Sequence, residues 1–368
     1  MNIRFIYLNR EYKLIKKEIS KKMLNVIENG IYILGEEVKK IEKRVAEYCR
    51  VKYAVGVNSG TDALFLSLKA LGIGRGDVVI TTPFTFVATA NAIINAGAEP
   101  YFIDIDERTF NIDPSKIEKA LKKDKELREK AKAIIPVHLY GQMAEMDYIK
   151  EIAENYGLLV IEDVAQAFGA KYNSKEAGYY SDCACFSFFP TKNLSCFGDG
   201  GMMITNNNEI YEKVKILRVQ GQKRKYFCEI NGFNSRLDEI QASVLNVKIK
   251  YIGKFIENRR KNAEIYNEHL SEYVIVPYTS KKAYHTFNIY TIKCEKRNEL
   301  QKFLRQNGIE TQIYYPYPLH KQKCFEKFNR KSLQISEKIS KEVLSLPIYF
   351  LKTEEVEYAT NKIKKFYK

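Results

Sequence analysis

Long apolar runs are missing from this chain of 368 residues, and so are the marks of a secreted protein. No stretch reaches the roughly 18 consecutive apolar residues that a membrane-spanning helix needs. The first residues, MNIRFIYLNREYKLIKK, lack the charged-then-apolar order that is typical of a signal peptide. We therefore expect a cytoplasmic protein with no membrane partner.

The seven cysteines likewise lack any regular arrangement. Their number is odd, and no pair of Cys-x-x-Cys units suggests a zinc site. Cys183 and Cys185 alternate with their neighbours in a strand-like pattern, and free cysteine is among the most buried residue types. We interpret the cysteines as structural thiols, which fits a reducing compartment, and we predict no metal.

A clustered basic face is also absent, although 60 Lys and Arg residues against 45 Asp and Glu residues give a net charge of +15. The segment 116–132, KIEKALKKDKELREKAK, interleaves both signs at the spacing of i,i+4 pairs on a helix. This pattern indicates solvated helix surfaces, and we predict no nucleic-acid partner. Attraction of an anionic small substrate by the long-range field is a secondary expectation.

No internal repeat or low-complexity linker divides the chain, yet its length exceeds the usual size of one hydrophobic core. From residue 53 onward, continuous apolar strands alternate with segments of helical spacing. This alternation predicts an α/β fold in which a mostly parallel sheet is sandwiched by helices. We place a large domain at residues 1–254 and a smaller α+β domain at residues 255–368, leaving open whether the N-terminal helices pack on the small domain.

The spacing of apolar residues also predicts individual elements. Strands are expected at 53–57, 78–82, 99–105, 133–137, 158–162, 183–189, 202–205, 290–294 and 310–314. Helices are expected at 10–29, 36–50, 85–96, 114–121, 146–156, 209–219, 237–269, 299–307, 333–344 and 353–368. Ligands of such a sheet bind at the carboxyl ends of its strands, so residues just after those ends are candidates for a site.

The stretch from Ser187 to Gly201, SFFPTKNLSCFGDGG, carries a lysine inside a turn rich in proline, glycine and serine. The preceding apolar strand ends at Pro190, Lys192 follows two residues later, and three glycines lead into the next apolar run. A lysine between two buried strands is poorly placed for solvent. It is well placed to react with a carbonyl group as an amine.

Two further features accompany this lysine. Ser59, Gly60 and Thr61 lie between a strand and a helix, where backbone N–H groups and the helix dipole favour a phosphate; a plain N-cap is the alternative. Asp163 ends a buried strand. Pyridoxal 5'-phosphate requires a lysine, an acid that keeps its ring nitrogen protonated, and a phosphate site. The three features together favour that cofactor.

Seven blocks, in order, make the chain similar to the pyridoxal-phosphate-dependent sugar aminotransferases of the DegT/StrS family from about Gly30 to the C-terminus. The blocks are NSGTDAL (58–64), TTPFTFVATANAI (81–93), PVHLYGQ (136–142), VIEDVAQAFGA (160–170), SFFPTKNLSCFGDGG (187–201), GFNSRLDEIQA (232–242) and YYPYPLH (314–320). The resemblance implies fold type I, the fold of the aspartate aminotransferase group.

The resemblance also implies roles for individual residues. Lys192 would form the Schiff base with the cofactor, and Asp163 would pair with its pyridinium nitrogen. Gln166 would contact the phenolic oxygen, and Phe86 would stack on the ring. The implied phosphate contacts are Ser59, Gly60, Thr61, Ser187 and, from the neighbouring subunit of a homodimer, Asn234.

The family's reaction, carried over, moves an amino group from L-glutamate to a keto group of a UDP- or dTDP-linked sugar, with Lys192 as the general base for the proton shift. The segment 221–236, GQKRKYFCEINGFNSR, resembles members that act on 3-keto sugars more than those that act on 4-keto sugars. The implied pathways make cell-surface polysaccharides, glycans or antibiotic sugars. Candidate substrate contacts are Tyr32, Arg224, Tyr226 and His320.

Two alternative functions stay open at this point. One is a keto-sugar dehydratase of the same fold, in which a histidine replaces the lysine; the presence of Lys192 argues against it. The other is a non-enzymatic regulator, against which Lys192, Asp163 and Gln166 together argue.

Overall fold

The computed structural model describes residues 1–368. The helices are α1 (Leu8–Asn29), α2 (Glu36–Cys49), α3 (Gly60–Ala70), α4 (Ala88–Ala96), α5 (Pro114–Lys123), α6 (Lys125–Lys130), α7 (Met146–Tyr156), α8 (Asn208–Leu217), α9 (Glu239–Lys248), α10 (Ile252–Leu270), α11 (Arg297–Gln306), α12 (Gln334–Glu342) and α13 (Thr353–Tyr367). The strands are β1 (Tyr53–Val57), β2 (Val78–Thr81), β3 (Glu99–Phe102), β4 (Ala131–Ile135), β5 (Leu159–Asp163), β6 (Lys171–Tyr172), β7 (Lys175–Glu176), β8 (Cys183–Ser187), β9 (Gly201–Thr205), β10 (Gln222–Arg224), β11 (Phe227–Cys228), β12 (Ala283–Tyr284), β13 (Tyr290–Lys293) and β14 (Val343–Leu346). No helix is both long and apolar enough to cross a bilayer.

Seven strands form the central sheet in the order β1-β9-β8-β5-β4-β2-β3. Strand β9 is antiparallel to both of its neighbours, and the pairs from β8 to β3 are parallel. Successive strand residues point to opposite faces, so Val78 and Ile80 join one core and Val79 joins the other. Helices α2, α5 and α7 cover the first face, and α3, α4 and α8 cover the second. The predicted α/β class with a mostly parallel sheet is confirmed.

The sheet gathers the predicted site residues at one edge. Strand β5 ends at Asp163, and β8 ends at Ser187. Strand β1 runs in the same direction as β8, because both are antiparallel to β9, and it leads into α3 at Gly60. The carboxyl ends of these three strands therefore lie together, although β1 ends more than 100 residues before β5 and β8 in the chain.

The C-terminal residues build a core of their own around the antiparallel pair β13–β14. Helices α10, α11 and α13 contribute Tyr266, Leu300 and Ile363 to it. Ile3 and Tyr7 belong to the same core, so the N-terminus packs with the C-terminal segment. Helix α10 begins at Ile252, close to the expected boundary at residue 254, and the boundary itself stays a prediction.

Two element predictions for the C-terminal part are wrong. Residues 310–314 form no strand, and only a single bridge at Gln312 occurs there. The helix expected at 333–344 ends at Glu342, and Val343–Leu346 is strand β14. This strand pairs with β13 in the register Tyr290 to Leu346, so pairing with a distant strand and burial override the local helical spacing.

A third prediction joined two helices into one. The segment 237–269 is interrupted by a turn of 3-10 helix at Ile249–Tyr251, which separates α9 from α10. The apolar spacing continues across this turn, so periodicity alone could not reveal the break.

Candidate active site

Lys192 lies in the loop between β8 and β9, at the carboxyl edge of the sheet. Three backbone hydrogen bonds hold the loop. The Lys192 N–H donates to the Phe189 carbonyl at 2.9 Å, the Cys196 N–H to the Phe188 carbonyl at 2.7 Å, and the Phe188 N–H to the Gly200 carbonyl at 2.7 Å. Burial lowers the pKa of Lys192 to about 8, while the charge of Asp163 acts in the opposite direction. The amine is therefore partly neutral near physiological pH, as a nucleophile or base requires.

Asp163 is 5% exposed and is held by two donors. Its Oδ2 accepts a hydrogen bond from the Thr89 hydroxyl at 2.8 Å, and its Oδ1 accepts one from the Ala165 N–H at 3.1 Å. Burial raises the pKa of Asp163, and these two hydrogen bonds and the positive charge of Lys192 oppose that change. A buried carboxylate next to an amine can stabilise a cationic group placed between them.

Gln166 is fixed by two neighbours. Its Oε1 accepts a hydrogen bond from the Tyr140 N–H at 2.9 Å, and its Nε2 donates one to the Tyr315 hydroxyl at 2.9 Å. The Phe86 ring lies 6.4 Å from the Tyr315 ring and is 58% exposed. An exposed aromatic face beside a buried polar group offers a surface for a flat ring with polar edges.

Close backbone packing shapes the region around Ser59 and Ser187. The Ser59 hydroxyl caps α3 by accepting the Asp62 N–H at 3.1 Å, which leaves the N–H groups of Gly60 and Thr61 for a ligand. A Cβ added to Gly60 would lie only 2.7 Å from the Cβ of Ser187. Glycine is therefore required where the helix N-terminus meets β8, and this cradle fits a phosphate group.

The remaining predicted residues lie apart from this group. Tyr32 is exposed, and its hydroxyl donates to the Ile27 carbonyl. Arg224 and Tyr226 lie on the exposed hairpin β10–β11, and Asn234 is exposed beyond it. His320 is only 1% exposed, and its Nε2 lies 3.0 Å from Glu337 Oε1. The structure thus brings together the cofactor residues predicted within one chain. Asn234 lies outside this group, and the substrate candidate His320 is buried.

Thr89, Tyr140 and Tyr315 contact the site residues but were not predicted. All three lie within the motif blocks 81–93, 136–142 and 314–320, yet a threonine or a tyrosine in a motif gives no chemical signal of its own. Tyr315 lies 149 residues after Gln166 in the chain. Only the folded chain shows that the Thr89 hydroxyl contacts Asp163, and that the Tyr140 backbone N–H and the Tyr315 hydroxyl contact Gln166.

This fold and this group of residues define a pyridoxal-phosphate-dependent aminotransferase. The chain belongs to the DegT/DnrJ/EryC1/StrS aminotransferase family, whose model matches residues 13–364. The resemblance drawn from the seven sequence blocks is therefore confirmed.

Individual relatives cover nearly the whole chain. It is 48% identical to the pleiotropic regulatory protein of Geobacillus stearothermophilus, over 100% of this chain and 99% of that protein. It is 41% identical to the dTDP-3-amino-3,6-dideoxy-alpha-D-galactopyranose transaminase of Aneurinibacillus thermoaerophilus, over 99% of both. The solved structure of S. venezuelae DesV in complex with a ketimine intermediate is similar with a TM-score of 0.96 and 36% identity, over 100% of this chain and 99% of that one.

The apoprotein is expected to react with pyridoxal phosphate at a rate that rises with pH and levels off above about 8. Only the neutral amine attacks the aldehyde, and burial lowers the pKa of Lys192 to about 8. Below that pH the neutral fraction falls about tenfold per pH unit, because the ammonium form dominates. Stopped-flow absorbance across this pH range measures the profile. A midpoint near 10.5, the ordinary value for lysine, would contradict the assignment.

Proposed function

We propose that this aminotransferase moves an amino group from L-glutamate to a keto group of a sugar linked to UDP or dTDP. The observation that carries the proposal is the group formed by Lys192, Asp163 and Gln166 beside the glycine-lined cradle. The name of the Aneurinibacillus relative supports a nucleotide-linked sugar. The net charge of +15 favours the approach of an anionic diphosphate.

Each residue has a distinct part in this proposal. Pyridoxal phosphate, when bound, supplies a carbonyl that carries the amino group and a ring that withdraws electrons from the substrate carbon. Asp163 would place a negative charge at the ring nitrogen, Gln166 would bind the ring oxygen, and Phe86 would cover one face of the ring. Ser59, Gly60, Thr61 and Ser187 would hold the phosphate.

Lys192 holds the cofactor covalently between turnovers and moves the proton during them. With a pKa of about 8, part of the amine is neutral at physiological pH, so Nζ can accept a proton from the substrate carbon and deliver it again. Asp163 moderates this effect, because its negative charge favours the ammonium form.

We further propose position 3 of the sugar as the site of amination, in the biosynthesis of cell-surface polysaccharides, glycans or antibiotic sugars. Two observations support position 3. The segment 221–236 resembles family members that act on 3-keto sugars, and the Aneurinibacillus relative is named for a 3-amino sugar. On this proposal Tyr32, Arg224 and Tyr226 are substrate contacts. His320 is a weaker candidate, because it is buried against Glu337.

The proposal includes a homodimer with shared active sites. Asn234 and the hairpin β10–β11 are exposed. They form no hydrogen bond with the Lys192 loop of their own chain. Tyr226 and Phe227 are exposed large side chains on the same hairpin, which is favourable for burial against a second copy. Sedimentation equilibrium tests this part, and a mass of one chain would contradict it.

A half-reaction screen tests the substrate class. Protein first treated with L-glutamate is expected to regain its starting absorbance when a 3-keto UDP- or dTDP-sugar is added, because the amino group then leaves the cofactor for the sugar. The matched 4-keto sugars and the Lys192→Ala protein are the controls. A response to no keto sugar would contradict the substrate class, and a response to 4-keto sugars alone would contradict the position.

The same screen separates the alternatives. A regulator without enzymatic activity predicts no spectral change with glutamate; the Geobacillus relative is named a pleiotropic regulatory protein. A dehydratase predicts release of water from the sugar without net transfer of nitrogen. We favour transamination because the lysine, the buried carboxylate and the phosphate cradle are all present.

A further inference from the structure

A buried ionic network lies behind the Lys192 loop, in the interior between α1, α9 and the C-terminal segment. At its centre, Lys248 Nζ lies 2.7 Å from Glu11 Oε1, and the two side chains are 3% and 2% exposed. Lys248 Nζ also donates a hydrogen bond to Ser195 Oγ at 2.8 Å. Glu11 Oε2 accepts one from the Tyr349 hydroxyl at 2.6 Å. None of these four residues belongs to the proposed cofactor site.

The network is attached to the loop that carries the lysine. Ser195 follows Lys192 by three residues and is fully buried. The Phe197 ring lies under Lys248 Nζ at 4.8 Å, and the Phe197 N–H donates to Gln241 Oε1 at 2.9 Å. Gln241 and Lys248 are seven residues apart, which puts them on one face of α9. Helix α9 therefore holds the loop at two points, two helical turns apart.

Holding a loop with a buried ion pair carries a large desolvation penalty. Burying an ammonium and a carboxylate costs several kcal/mol per ion in desolvation, and their attraction repays this only with good geometry and further hydrogen bonds. Here the remaining hydrogen-bonding capacity of Lys248 is directed at Ser195, and that of Glu11 at Tyr349. Apolar side chains could fill the same volume without the desolvation cost, but they could not orient the Ser195 hydroxyl.

We infer that Lys248 and Glu11 are positioning residues that fix the Lys192 loop through the Ser195 hydroxyl. The inference rests on the proposed role of Lys192. Lys248 acts through the loop, because its ammonium group contacts Ser195 and Phe197, which belong to the same loop as Lys192. Lys192 is half-buried. Loss of the tether would expose it further and move its pKa upward, towards the ordinary value for lysine.

The test uses Ser195→Ala and the double variant Lys248→Met/Glu11→Gln. Either single charge removal would leave an unpaired buried charge and could prevent folding, whereas the double variant removes both charges and keeps similar volumes. Hydrogen exchange of the apoprotein is measured on the peptide that covers residues 190–200. We expect exchange there to rise about tenfold in both variants, the effect of losing one hydrogen bond to a charged group. The pH midpoint of the reaction with pyridoxal phosphate should rise as well.

A matched control exists between the same elements. Lys250 and Glu18 form a second ion pair that joins the turn after α9 to α1, but it lies at the surface and does not touch the loop. The double variant Lys250→Met/Glu18→Gln should leave both readouts unchanged. Tyr349→Phe should raise exchange less than Ser195→Ala, because it leaves the contact between Lys248 and Ser195 in place.

Unchanged exchange at residues 190–200 in both Ser195→Ala and the double variant would overturn the inference, whatever happens to the melting temperature. A change in exchange equal to that of the control pair would overturn it too. The exchange measurement needs neither cofactor nor turnover, so it remains decisive if the proposed sugar substrate is wrong. If exchange rises but the pH midpoint stays at its original value, the tether holds the loop without positioning Lys192, and the inference is wrong on that point.

Discussion

Replacement of Lys192 by alanine is expected to abolish transamination, with a loss in kcat of at least about 10³-fold. The variant lacks both the amine that binds the cofactor covalently and the base that moves the proton, and removal of a general base alone costs about 10²–10⁴-fold. The visible absorbance of the covalently bound cofactor should disappear as well. Steady-state rates with L-glutamate and absorbance spectra of the loaded protein measure the two effects.

Two control variants distinguish the role of the Lys192 amine as a nucleophile from the role of its positive charge. Lys192→Arg keeps a positive charge in the loop but stays protonated at any working pH, so it should be as inactive as the alanine variant. Lys213→Ala removes an exposed lysine of α8 and should behave like the unaltered protein. Covalent binding of the cofactor by Lys192→Ala would show that another amine forms the bond to the cofactor.

Replacement of Asp163 by asparagine is expected to lower kcat by about 10²–10³-fold, the usual effect of removing one preorganised electrostatic contact. Asparagine has the same shape, but it cannot place a negative charge at the ring nitrogen, and the ring then withdraws electrons less well. The effect should appear in both half-reactions, because both need the same ring charge.

The fold of this variant should survive. The Thr89 hydroxyl can accept as well as donate, so it can pair with the amide nitrogen of asparagine. Burial raises the pKa of Asp163, so its charge destabilises the apoprotein at neutral pH, and removing that charge should cause no large loss of melting temperature. Activity within a few fold of the unaltered protein would contradict the role of Asp163.

The double variant Lys192→Ala/Asp163→Asn tests whether the two residues act together. Asp163 ends strand β5 and Lys192 lies in the loop after β8, and each alters the protonation of the other. We therefore expect the loss in the double variant to be smaller than the product of the single losses. A loss in kcat equal to the product of the two single losses would indicate two independent effects.

The proposed cofactor residues could be picked out from the sequence because several features occur together. A lysine in a glycine-rich turn, an aspartate at a strand end and a phosphate-type turn are each ordinary alone, but their order along the chain matched a known family. Thr89 and Tyr315 could not be predicted in the same way. Their hydroxyl groups gain a role only through the side chains that folding places beside them, Asp163 and Gln166.

The error at residues 343–344 has a similar cause. The apolar spacing of 333–344 was typical of one continuous helix, and most of the prediction was right, since α12 occupies Gln334–Glu342. The following residues form β14 because β13 offers an antiparallel partner and the interior offers burial. Strand preference depends more on such neighbours than helix preference does, so local pattern is a weak guide for short buried segments.

The amino-acid sequence by itself determined the class of fold, the cofactor and the two residues at the centre of the proposed chemistry, because periodicity and motif order are properties of the chain. Only the tertiary structure decided how these residues are held. The contact between Gly60 and Ser187, the donors to Asp163 and the buried pair of Lys248 and Glu11 join distant segments. Distances, burial and pKa shifts of this kind arise when the chain packs, and no local pattern encodes them.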